Sequence, residues 1–234
     1  MDVSQNAILP ARDRLTLVAR AIGPILNRVV LAGPPVVDLL MSDPAAHTPP
    51  LTFAADSTLQ LLSTSMVDRL GVELQKLGLS RIGRIANADR WRLSDELILD
   101  LVQVRVDDGD PDQLWLEYAT LLTLPFTVDE LFVVRIAGAP AMLALECASF
   151  VRSGARALDS VELERVVQLI AGRREIEKEC AAAPPELRAF IASALAVLAR
   201  DDTLQLLVQR ALPDAVLLPE LARRVHARIV RLAC

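Results

Sequence analysis

Aromatic residues are nearly missing from this chain: one tyrosine, two tryptophans and five phenylalanines make up 3% of its 234 residues. So few rings give unpaired bases little to stack on, which argues against single-stranded nucleic-acid binding. Basic residues are outnumbered too, 25 Lys and Arg against 30 Asp and Glu, and a formal charge of -5 gives no global field that would draw in a polyphosphate backbone. Histidine occurs only as His47 and His226, far apart and without neighbouring Cys or acidic ligand spacing, so no zinc motif is present. The three cysteines, Cys147, Cys180 and Cys234, are an odd number with no Cys-x-x-Cys pair and read as reduced thiols of a cytoplasmic protein. No basic segment leads into an apolar h-region at the start, and no apolar run approaches the roughly 18 residues of a membrane span. The expected protein is soluble, cytoplasmic and not held in a membrane. Gly-x-Ser-x-Gly, Walker A and Gly-x-Gly-x-x-Gly patterns are absent, which removes the hydrolase and P-loop readings.

What is present is aliphatic. With 53% hydrophobic residues the chain can fill a sizeable core from Leu, Val, Ile and Ala. Residues 11–27 carry apolar positions on one helical face, interrupted near Gly23-Pro24. A short strand at 29–32 follows and ends in Gly33-Pro34-Pro35, and a short helix over 35–41 tolerates proline in its first turn. Prolines at 44, 49 and 50 mark a loop. Leu59 to Leu62 reads as a strand. Ser63, Thr64 or Ser65 is then expected to cap a helix with Met66, Val67, Leu70, Leu74 and Leu77 on one face, closing at Gly78. Residues 79–93 suit a hairpin around Asn87-Ala88-Asp89, and 97–106 is the strongest strand candidate. The acidic run 107–112 reads as a solvated loop without the residue placement of a calcium-binding EF-hand. No element is assigned between it and a strand at 131–136.

From Pro140 onward the period is helical, with segments at 140–152, 159–171, 173–182, 185–199, 201–211 and 218–232. The expected fold class is therefore α+β. A small mixed β-sheet with its helices occupies residues 1–138, and an all-helical half, residues 139–234, packs on it.

Within this order three groups of residues stand out. Gly33 ends the first strand, Thr58 and Gln60 sit two apart on the second, and Asp100 lies inside the apolar run Leu99-Asp100-Leu101. Further on, Arg135-Ile136-Ala137 leads to Leu145-Glu146-Cys147-Ala148-Ser149-Phe150, and Glu162-Leu163-Glu164-Arg165 continues to Gly172-Arg173. The arrangement resembles the nucleotidyltransferase-like fold, in particular bacterial proteins related to the AbiEii type of toxin-antitoxin nucleotidyltransferases, over roughly residues 15–232. That resemblance implies a glycine-rich strand end at the nucleotide phosphates, matched only by Gly33 before two prolines. It implies an Asp-x-Asp pair holding two divalent metals, matched by Thr58 and Gln60, neither of them an anion. In an alternative register Asp56 keeps the second acid. The third carboxylate is matched by Asp100, a candidate metal ligand, joined by Asp56 if the enzyme is active, and the family's later lysine by Glu146.

Proline after Gly33 removes an N–H donor, and a carboxylate with a hydroxyl and an amide holds Mg²⁺ weakly. The leading expectation is thus a degenerate nucleotidyltransferase acting as a binding or regulatory module, with Gly33, Thr58 and Gln60 as ligand contacts. No catalytic residue and no cofactor is assigned. A second expectation is an active enzyme transferring a nucleotidyl group to protein or RNA, with Asp56 and Asp100 as catalytic candidates and Mg²⁺ and an NTP as cofactors. A third is a homodimer, or a complex with a protein partner, formed through the leucine-rich C-terminal helices. Each candidate also has a structural reading: Gly33 as a turn residue, Asp100 as the partner of an arginine such as Arg92 or Arg105, and Thr58 and Gln60 as solvent-facing strand residues. Arg223, Arg224, Arg228 and Arg231 form the one basic concentration, open to an acidic partner or to nucleic acid.

Overall fold

The computed structural model describes residues 10–43, 58–95, 97–105, 111–153, 160–200, 204–212 and 219–234. Asp56, His47, the alternative register around Asp56 and the acidic positions 107–110 lie outside the described residues.

The chain opens with α1 (Ala11–Ala21), which stops before Gly23-Pro24 and passes through a 3-10 turn (Gly23–Arg28) into β1 (Val30–Ala32). After α2 (Pro34–Leu40) come β2 (Leu59–Ser63), α3 (Val67–Lys76), β3 (Ser80–Ile85), β4 (Ala88–Ser94) and β5 (Leu97–Gln103). Then follow α4 (Pro111–Leu121), β6 (Thr123–Thr127) and β7 (Val133–Ala137). Among the described residues six helices follow: α5 (Ala139–Ser153), α6 (Val161–Gly172), α7 (Ile176–Ala181), α8 (Pro185–Ala199), α9 (Leu204–Ala211) and α10 (Pro219–Leu232). This is the α+β class expected from the pattern, with the helices gathered in the second half.

Among the described residues the strands form one sheet of seven in the order β3-β4-β5-β2-β1-β7-β6. β2 runs parallel to β5 and β1 parallel to β7, while the other neighbours are antiparallel, so the sheet is mixed. Alternation along β5 sorts its residues between two faces. Leu97, Leu99 and Leu101 are buried on one, and Ile98, Asp100 and Val102 share the other. α3 packs against β3 and β5, where Gly71 lets the Trp91 ring approach the helix backbone: a Cβ there would sit 3.1 Å from the indole. α4 lies against β1 and β2. β3 is an edge with all six residues exposed, and Arg81, Arg84 and a bulge at Gly83 guard it against strand addition.

Two elements differ from expectation. Pro111 and Asp112 are not loop but the first turn of α4, where proline costs nothing because the first N–H groups of a helix have no partner in it anyway. β6 was hidden by Pro125, which a sheet tolerates because β6 is its outer edge. The expected cap of α3 is also corrected. None of the serines and threonines at 63–65 caps it; Met66 precedes the helix without a side-chain bond. The Ser63 hydroxyl donates to the Arg28 carbonyl at 2.8 Å and accepts from the Ser65 amide, so it locks the strand end instead.

One cluster of buried apolar side chains runs from Leu15 to Ile229 through both halves. Most leucines of the C-terminal helices are spent inside it: Leu187, Ile191, Leu195 and Leu198 of α8 and Leu221, Val225 and Ile229 of α10 are all buried, whereas Leu206 of α9 is 54% exposed. At about 1.5–3 kcal/mol for each fully buried aliphatic side chain, those positions contribute much of the packing of the helical half. The end of α6 stitches the halves. The Gly172 carbonyl accepts from the amides of Ser42 and Asp43 at 2.8 Å each, while Arg173 donates to the Leu40 carbonyl and pairs with Glu179. That pairing raises the Arg173 pKa above its ordinary value. The Gly-Arg pair quoted from the sequence is thus a joint between α2 and α6. Among the described residues no helix is long and apolar enough to cross a membrane.

Candidate functional site

Antiparallel pairing sets the centre of the site. β4 and β5 place Arg90 opposite Asp100, and the parallel pairing of β2 with β5 places Gln60 opposite Asp100 on its other side. Directly opposed residues share a face, so Arg90, Asp100 and Gln60 form a row across three strands. Arg90 grips Asp100 in a bidentate fork, Nε to Oδ1 and Nη2 to Oδ2, both 2.8 Å. The structural pairing expected for Asp100 is there, but the partner is Arg90: Arg92 is opposite Ile98, two residues along the strand.

Gly33, Thr58, Gln60 and Asp100 are brought together in one cleft of about 210 Å³. Its other walls include Asn87 at the β3–β4 turn, Trp115 and Leu116 of α4, Glu146, Ser149 and Arg152 of α5, and Arg165 of α6. Glu146 is 6% exposed and faces Arg165 at 3.5 Å. Sequence reasoning missed Trp115 and Arg152 as wall residues. Ser149 and Arg165 stood in the quoted segments and Asn87 in the expected turn, so their positions were visible but their convergence was not. Asp56, the remaining catalytic candidate, lies outside the described residues.

The backbone at Gly33 does not make a phosphate cradle. A helix offers an anion the N–H groups of its first turn. In α2 the first two positions are Pro34 and Pro35, which have none, and the amides of Val36 and Val37 already donate to the Gly33 carbonyl at 2.9 and 3.4 Å. Gly33 is required for a different reason. Its φ of 92° and ψ of -176° lie where L side chains are strained, and a Cβ would meet the Thr58 carbonyl oxygen at 3.0 Å. Gly33→Ala is expected to cost about 2 kcal/mol of stability in urea unfolding from these two causes together. A neutral result would show that neither strain nor contact constrains the turn.

The donor set does not fit a divalent cation. Among the described residues no group of three or more His, Cys, Asp and Glu is placed to hold a metal ion. Both Asp100 oxygens are already held by a guanidinium, and Thr58 and Gln60 add no charge. Cysteine chemistry is also excluded from this cleft. Burial pushes the Cys147 thiol far above its usual range and the Cys180 thiol up to about 12, the latter with a smaller contribution from Glu179. Neither is a ready nucleophile.

The basic concentration on α10 is absorbed by the fold. Arg223 pairs with Glu220, Arg224 with Asp43 and Arg231 with Glu177, while Arg228 donates to four backbone carbonyls. Its charge is neutralised or spent inside the chain, and it carries no argument for nucleic acid. The chain matches no protein-family model and no curated protein.

Proposed function

We propose that this protein is a nucleotidyltransferase-like scaffold whose cleft binds a ligand without transferring a nucleotidyl group, serving as a binding or regulatory module. The observation that carries the reading is the Arg90–Asp100 fork. In a two-metal site the carboxylates must be available to cations about 4 Å apart. Here Asp100 is turned to a structural arginine, and the strand positions beside it carry Thr58 and Gln60. What supports a cleft kept for binding is the convergence of Gly33, Thr58, Gln60 and Asp100 on one concavity between the sheet and α4 and α5. The family relationship itself rests on the order of elements and the spacing of the quoted segments.

The test is pyrophosphate release from ATP, GTP, CTP and UTP with Mg²⁺ or Mn²⁺, using the full chain alone and with a cell extract as acceptor. No release above the rate without protein is expected. Release that disappears in Asp100→Asn would establish an active transferase and sink this reading. The dimer reading has less support, because most of the leucines that motivated it are buried within the chain, with Leu206 at 54% exposure the exception.

A further inference from the structure

We infer that the cleft takes a small, uncharged planar heterocycle carrying both hydrogen-bond donors and acceptors, of the size of a free nucleobase and without a phosphate. The inference rests on reading the cleft as a binding site, and it names the class of ligand.

Charge comes first. The ionisable side chains on the cleft walls are Asp100 and Glu146 against Arg152 and Arg165, two of each sign. Both carboxylates belong to buried residues, at 8% and 6% exposure, and each faces an arginine. With the charges on its walls balanced, the cleft has no surplus positive charge to draw in a triphosphate, and among the described residues no metal cluster is placed to offset the charge of one. The first turn of α2, for its part, has no amide left to give. A ligand without net charge meets none of these penalties.

Hydrogen-bonding capacity comes next. The side chains of Thr58, Gln60, Asn87 and Ser149 line the cleft and make no hydrogen bond to any described residue. Gln60 and Asn87 each present an amide oxygen and an amide NH₂ side by side, the pattern that complements the donor–acceptor edge of a heterocycle. Trp115 also lines the cleft, and its ring stacks on Phe190 at 4.0 Å between centroids, with Tyr118 at 6.3 Å. Three of the chain's eight aromatic residues, two Trp, one Tyr and five Phe in all, are thus clustered around the Trp115 ring that lines the cleft, in a protein otherwise built from aliphatic side chains. Size agrees. At about 210 Å³ the cleft is smaller than the roughly 300–1,000 Å³ of pockets that enclose drug-sized ligands.

The experiment is isothermal titration of the full chain with adenine, cytosine and uracil, each compared with ATP, CTP and UTP. At least one base is expected to bind, and its triphosphate at least tenfold more weakly. Asn87→Ala, at an exposed turn where folding is not at risk, is expected to weaken the base about fivefold, the loss of one neutral hydrogen bond. Ser149→Ala serves as the second variant. The inference is overturned if none of the three bases binds, if a triphosphate binds as tightly as its base, or if neither variant changes base binding. Failure here with no pyrophosphate release leaves the binding-module reading standing, whereas release sinks that reading first, so the two failures are distinguishable.

Discussion

Asp100→Ala is expected to lower folding stability by about 3 kcal/mol, read as a shift of the urea-unfolding midpoint at unchanged slope. The Asp100 side chain is 11% exposed and that of Arg90 26%, so the substitution leaves a guanidinium against the sheet without the carboxylate that both of its nitrogens held. Partial access of Arg90 to water keeps the cost at the lower end of the range for a broken buried pair. The companion double variant Arg90→Met with Asp100→Leu separates structure from ligand binding. Apolar replacement of both partners removes the guanidinium along with the carboxylate and is expected to recover at least half of the loss. Were Asp100 held for a ligand instead, Asp100→Ala would cost under 1 kcal/mol, because a site poised for an absent cation is relieved when the charge goes. That outcome would also withdraw the main support for a non-catalytic cleft.

How far the fold was legible follows from which signals are local. The strand at Leu59, the stop at Gly78 and the hairpin around Asn87 were readable because each depends on alternation or a turn residue within a few positions. α4 was not, because its apolar positions Leu114, Trp115, Tyr118 and Ala119 follow an acidic stretch that dominates the eye, and the one start signal, Asp110-Pro111, reads equally as a turn. β6 failed for the opposite reason: proline within a run lowers the strand reading unless the strand is known to be an edge, and edge status is a property of the whole sheet.

The site shows the same division. Gly33, Thr58, Gln60 and Asp100 could be named because a strand end and period-2 spacing are local facts, and the fold does bring them together. The partner of Asp100 could not, since choosing among Arg90, Arg92 and Arg105 requires the β4–β5 register, and a shift of two residues moves the arginine along the strand by one side-chain pair. Nor could the sequence tell that Pro34-Pro35 and the Gly33 carbonyl together use up the first turn of α2, because that depends on which carbonyl the Val36 and Val37 amides meet.

Arg228→Ala is expected to be the most damaging surface-helix substitution, at about 3 kcal/mol, although the sequence presents Arg228 as one of four similar arginines. The last four carbonyls of any helix lack intrahelical partners, and in α6 every one is accounted for. Leu169 accepts from the Arg173 amide, Gly172 from the amides of Ser42 and Asp43, and Ile170 and Ala171 from Nη1 of Arg228 at 2.8 and 3.4 Å. The same guanidinium reaches the Arg173 and Arg174 carbonyls at 3.2 and 2.9 Å, so it closes the α6 terminus and positions a cation at the negative end of its dipole. Its side chain is 13% exposed, which leaves water little room to replace it. Charged hydrogen bonds contribute about 1.5–3 kcal/mol each when buried, but several here share one nitrogen, and the total is set accordingly. Arg228→Lys is expected to recover less than half, because an ammonium cannot span the two nitrogens that serve Ile170 and Arg174. Arg231→Ala, one turn further along, breaks an exposed pair with Glu177 and is expected to cost under 1 kcal/mol. Urea unfolding of the three variants decides it. If Arg228→Ala and Arg231→Ala lose the same stability, the cation is not the cap of α6, and the α10 arginines return as candidates for an acidic partner.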